Sequence, residues 1–157
     1  DNEITFNTLM NLVNVCNSVD KKVIWSFLRE YDEHLDHQSN KSLDSLIGYA
    51  INYYIDFVLP HKKYLKIDNE SKKIFEDLYH LLIDIDKKST SEEIQTAIYE
   101  IGKKHNFSNL RDFFKLIYRV LLGQNQGPRL GSFIKVLGID KTCKLIDKIL
   151  MGKDLSN

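Results

Sequence analysis

Proline, glycine and cysteine are all scarce in this chain of 157 residues, at two, seven and two. So few turn formers exclude a loop-rich all-β sandwich and leave room for long helices. Two cysteines, Cys16 and Cys143, cannot build a disulfide framework, which points to a reducing compartment. No stretch approaches the roughly 20 apolar residues that span a bilayer. No secretory leader opens the chain either, so the expectation is a cytoplasmic protein with no membrane partner. Asp1 in place of methionine points to a portion of something longer. The motifs GxxxxGKS, GxGxxG and HExxH are missing, and no catalytic, cofactor or metal site is expected in these residues. His34 and His37, among Asp32, Glu33 and Asp36, read as a polar turn in preference to a metal site.

Net charge is also lacking, with 22 basic and 22 acidic residues. The balance hides an asymmetry. From Arg111 onward nine Lys and Arg face four Asp, a surplus of five positive charges, and the preceding part carries the matching acidic surplus. A basic end on a neutral domain suits an oriented anionic partner, although solvated lysines on amphipathic helices give the same count.

What is present is apolar residues at helical spacing. Stripes run through Phe6, Leu9, Leu12, Val13 and Cys16 after a cap at Thr5, and through Ile24, Phe27, Leu28 and Tyr31 after a cap at Asp20. A third, Leu43, Leu46, Ile47, Ala50, Ile51, Tyr54, Phe57 and Val58, opens at Ser42 and stops at Pro60. Tyr49 and Tyr53, on its other edge, are expected to pack on a neighbouring helix. Ile74, Leu78, Leu81, Leu82 and Ile85 make a fourth. Thr90 and Glu93 form a capping box before Ile94, Ala97, Ile98 and Ile101, a stripe ended by Gly102 or the turn near Asn106. Ser108 is the expected cap for Leu110, Phe113, Phe114, Ile117 and Leu121, with Gly123 at C′. Pro128 suits a first helical turn ahead of Leu130, Phe133, Ile134 and Leu137, which Gly138 ends. Asp140 is the expected cap for Cys143, Ile146, Ile149 and Leu150. The fold expected is all-α, a bundle or superhelical cage of about eight helices. Its best internal boundary is the aperiodic segment from His61, giving subdomains 1–60 and 61–157 that share one core.

One segment stands apart. Gly123-Gln124-Asn125-Gln126-Gly127-Pro128-Arg129-Leu130-Gly131 sets amides between glycines and runs into a helix start. Amides donate and accept, as the Watson–Crick edge of a base does. Free N–H groups at the helix start favour an anion or a carbonyl. Arg129 adds a planar fork that binds phosphate or stacks on a base. Arg111, Lys115 and Arg119 share one edge of the preceding helix, and Lys141, Lys144 and Lys148 one edge of the last. The competing reading is a glycine-rich turn with ordinary lysines around it.

Tyr118-Arg119-Val120-Leu121-Leu122-Gly123, then Gly127-Pro128-Arg129-Leu130-Gly131, Phe133-Ile134 and Leu137-Gly138, resemble the C-terminal end of class I lysyl-tRNA synthetases. Ile4-Thr5-Phe6, Asn11-Leu12, Gly48-Tyr49-Ala50-Ile51, Tyr53-Tyr54, Asp56-Phe57-Val58, Pro60 and Lys62-Lys63 extend the resemblance over most of the chain. It implies the helical, anticodon-binding portion of an enzyme that joins lysine to its tRNA with ATP. The HIGH-like and KMSKS-like motifs of such enzymes are not in these residues, so no cofactor is implied here, and ATP belongs to the full-length enzyme. The implied partners are the anticodon loop of a lysine-acceptor tRNA, and not DNA, together with the chain preceding Asp1. Gln124, Gln126, Pro128, Arg129 and Leu130 are the candidates for anticodon bases, and Arg111, Lys115, Arg119, Lys144 and Lys148 those for phosphates. Two alternatives remain at this point: the equivalent domain of a glutamate–tRNA ligase, and a helical module whose basic end contacts an acidic protein.

Overall fold

The computed structural model describes residues 3–156; Asp1, on which the expectation of a longer chain rests, lies outside them. Among the described residues there are eight α-helices and no strand: α1 Phe6–Cys16, α2 Lys21–Tyr31, α3 Lys41–Tyr53, α4 Asn69–Asp84, α5 Ser91–Lys104, α6 Leu110–Leu121, α7 Leu130–Leu137 and α8 Ile139–Leu150. Each amphipathic helix turns its apolar stripe to one shared core, to which residues on both sides of Pro60 contribute. Helix α7 lies at the centre. Six of its eight residues are buried, and it packs against α1, α2, α5 and α8. A helix apolar nearly all round has no face to give to water.

The start signals work as local chemistry requires. Thr5 accepts from the N–H of Thr8, Asp20 from Lys22 and Asp68 from Ser71, and Thr90 with Glu93 forms both bonds of the capping box. Four boundaries differ from the sequence expectation. Helix α3 begins after Asn40, so Ser42 lies inside it. Asn109, one residue beyond Ser108, caps α6 by accepting from Asp112. Pro128 stays outside α7, because Arg129 is its N-cap. Asp140 sits in the first turn of α8, which Gly138 precedes with φ 105°. Gly102 does not end α5. It lies inside the helix, where glycine leaves room for the Phe113 ring, since a Cβ there would meet that ring at 2.7 Å.

The largest departure follows α3. The helix widens into a π turn over Tyr54–Val58, where the Leu59 N–H reaches back five residues to the Tyr54 carbonyl, and then tightens into a 3-10 turn over Leu59–His61. Pro60 therefore ends the helix through two irregular turns. The wider turn keeps Tyr54 and Val58 buried and rotates Phe57, expected in the core, out to 63% exposure. Tyr53 packs edge-on against Phe6 at 5.6 Å, but Tyr49 is 65% exposed, so the expected packing does not extend to it.

Candidate nucleic-acid interface

The amide loop between α6 and α7 is anchored on its backbone. Gly123, in the left-handed region at φ 69°, offers its carbonyl to the Lys63 N–H at 2.9 Å. The Leu122 carbonyl accepts from Asn14 Nδ2 at 2.9 Å, and the Pro128 carbonyl accepts from Tyr118 Oη at 2.7 Å. Beneath the loop, the Lys62 ammonium donates to the Asn14 carbonyl, Asn17 Oδ1 and Tyr54 Oη. It also faces the Tyr54 and Tyr64 rings. Burial pushes this amine down to about 8. The loop is thus tied to the fold at both ends, and residues 124–127 span the gap between the anchors at Gly123 and Pro128.

Those residues divide a surface. On one side, Asn125, Gln126 and Gly127 close a cleft of about 610 Å³ whose far wall is α6 and Gln95 of α5. Arg111 and Lys115 line it with the rings of Phe114 and Tyr118, which are stacked at an interplanar angle of 29°. Asn125 and Gln126 are exposed, and among the described residues their side chains have no hydrogen-bond partner. The cleft thus offers aromatic faces for stacking, amides for a base edge and two cations for phosphate. Burial holds the Tyr118 phenol above its usual value, so it stays a neutral donor.

The structure brings Gln126, Arg111 and Lys115 into this cleft. Gln124 and Arg119 lie across the loop, in a second cleft of about 370 Å³. Gln124 is partly committed, donating to Asn11 Oδ1 at 3.3 Å. Arg129 is turned to α5, where it pairs with Glu92. Pro128 is buried and Leu130 is only 2% exposed, so their side chains support the loop from the core and present nothing to a base. At the start of α7 one of the N–H groups expected to be free is taken, because the Gly131 N–H donates to Gln95 Oε1 at 2.8 Å. Lys144 lines a different cleft with Lys87, Lys135 and Lys141, and neither cleft beside the loop is lined by Lys144 or Lys148.

Sequence reasoning missed Phe114, Tyr118 and Gln95 as site residues, and it named Asn125 in the amide loop without choosing it as a base contact. The signal for the first two was present: Phe114 and Tyr118 are four apart, each three after a cation of the pair Arg111 and Lys115, so all four share one side of α6. The glycines of the Gly127–Gly131 block have packing roles. A Cβ on Gly127 would lie 2.4 Å from the Tyr118 ring, and one on Gly131 would lie 2.0 Å from the Ser91 carbonyl, so α5 and α7 can cross closely only with glycine there.

An all-α domain that sets an amide loop, tied at both ends, beside aromatic rings and cations has the features of an RNA-reading domain, and the family follows. Residues 41–150 match the family described as "Anticodon binding domain", and the chain belongs to it. Among curated proteins it is 46% identical over 144 residues to a lysine–tRNA ligase of Rickettsia rickettsii (strain Sheila Smith), which covers 92% of this chain and 28% of that protein. The lysine–tRNA ligase of Rickettsia prowazekii (strain Madrid E) is 43% identical over 148 residues, and that of Rickettsia bellii (strain OSU 85-389) 45% over 147; each match covers 94% of this chain. The chain spans 28% of the length of these relatives. It matches lysine–tRNA ligases as their anticodon-binding portion, which does not favour the glutamate alternative. No solved structure matches the chain. Among the described residues no helix is long and apolar enough to cross a membrane.

Proposed function

We propose that this chain binds the anticodon loop of a lysine-acceptor tRNA, as the C-terminal portion of a lysine–tRNA ligase whose ATP-dependent chemistry resides in residues beyond this sequence. An unpaired anticodon base enters the cleft between α6 and the amide loop. It stacks near Phe114 and Tyr118 and is read by Gln126 and Asn125, while Arg111 and Lys115 neutralise the flanking phosphates. The observation that carries this reading is the convergence of rings, amides and cations on one cleft. Uracil, with two carbonyl acceptors and one N–H donor, suits a surface of mixed amides. The basic surplus from Arg111 onward steers the polyanion to this end, and the cytoplasm is where such a partner is met.

The test is equilibrium binding of the chain to stem-loops carrying a lysine anticodon, a glutamate anticodon or a scrambled loop, with a DNA hairpin as competitor. The reading expects the lysine loop to bind tightest and DNA to compete poorly. Equal binding of all four would contradict it.

A further inference from the structure

All eight phenylalanines lie among the described residues, and of these Phe57 alone is exposed; the other seven are buried or half-buried. An isolated exposed phenylalanine is unremarkable on most surfaces. This one is held out by the π turn, an irregular geometry found often at functional sites. Its ring is supported from behind by Tyr53 at 5.0 Å. In front of it opens the cleft across the loop, lined by Phe57, His61, Lys63, Arg119, Gln124 and Asn125. The loop's backbone faces the same segment, since the Lys63 N–H holds the Gly123 carbonyl and the Leu65 N–H holds that of Arg119.

It offers the same kinds of group as the first cleft: an aromatic face in Phe57, two exposed cations in Lys63 and Arg119, and two amides in Gln124 and Asn125. Asn125 lines both. With Gln124 Nε2 engaged by Asn11, its amide oxygen remains as an acceptor. Resting on the RNA-binding reading above, we propose that the amide loop is a partition between two nucleotide subsites. The second receives another unpaired base of the same RNA loop, stacked on Phe57, with its phosphate between Lys63 and Arg119. A single-stranded loop suits this arrangement because its bases splay freely, and stacking accepts any base.

The experiment is an abasic scan. Each base of a lysine-anticodon stem-loop is removed in turn, and the affinity is measured for the wild-type chain, Phe57→Ala, Phe57→Tyr and Gln126→Ala. Phe57→Ala is expected to weaken binding about 5- to 100-fold, the usual range for one base stacked on an aromatic side chain. Phe57→Tyr should restore it. One abasic position should cost nothing further in Phe57→Ala but its full amount in Gln126→Ala, and a different position should behave the opposite way. The partition is overturned if Phe57→Ala binds as wild type while Gln126→Ala does not, or if both variants couple to the same position. If neither variant changes the affinity for any RNA, the RNA-binding reading fails together with the partition.

Discussion

The phenol of Tyr118, on α6, donates a 2.7 Å hydrogen bond to the carbonyl of Pro128, at the far end of the amide loop. That bond closes the loop onto the helix that supplies its cations. It also presses the Tyr118 ring against Gly127, leaving no room for a side chain there. Gly127→Ala should cost about 1–3 kcal/mol by overpacking and displace Gln126. Tyr118→Phe, which removes only the bond, should cost about 0.5–1.5 kcal/mol. Urea denaturation of both variants checks the order, and an alanine at 127 milder than the phenylalanine would contradict it.

Ile47 is fully buried on α3, whereas Phe57, ten residues on, is exposed. Ile47→Ala should therefore lose about 2–5 kcal/mol. Phe57→Ala should stay near the 0.5 kcal/mol or so of a surface change. Denaturant midpoints at constant slope compare the two. A large loss for Phe57→Ala would mean that the π turn depends on that ring.

The single tryptophan gives an acid-sensitive reporter. Trp25 Nε1 donates to Asp44 Oδ1 at 2.8 Å, and Lys21 donates to Oδ2 at 3.0 Å. These bonds, that of Trp25 foremost, hold the Asp44 carboxyl below its ordinary value of 3.8. A carboxyl held low in the folded state stabilises it above the unfolded pKa, and that stability is lost as pH falls through the folded value. The denaturation midpoint followed by Trp25 fluorescence should hold steady from about pH 7 to 5 and fall below about pH 4. Asp44→Asn should start lower at neutral pH and fall less. Identical acid limbs in the two proteins would remove Asp44 from the account.

The helices were legible because most are bounded by short-range chemistry: Thr5, Asp20 and the Thr90–Glu93 box each act within one turn, and the apolar stripes between them must be buried. The π turn was not, because the spacing of Tyr54, Phe57 and Val58 fits an α-helix equally well, and only packing decides which ring is left out. The same limit applies to the site. Gln126, Arg111 and Lys115 were readable as amide and cation near a glycine-rich turn. That Leu130 is needed by the core depends on how the helices pack, and that Gln95 claims the Gly131 N–H and Glu92 claims Arg129 depends on contacts with α5, more than thirty residues away in the chain.

Lys115 is exposed in the first cleft and holds phosphate in this account. Lys115→Ala should weaken binding to lysine-anticodon and scrambled stem-loops by the same factor. It should also reduce the slope of log affinity against log salt by about 0.7–1. A loss confined to the lysine loop would instead make Lys115 a base reader.

Gln126 carries the central claim, that the exposed amide of a loop tied at both ends reads a base. The measurement is the ratio of dissociation constants for lysine-anticodon and scrambled stem-loops at one fixed salt concentration, in wild type and in Gln126→Ala. The account predicts that the ratio shrinks by a factor equivalent to about 1–3 kcal/mol, by analogy with base-edge readout, while binding of the scrambled loop is unchanged. Equal weakening of both RNAs, or no change in either, would contradict it and leave the loop as a structural turn.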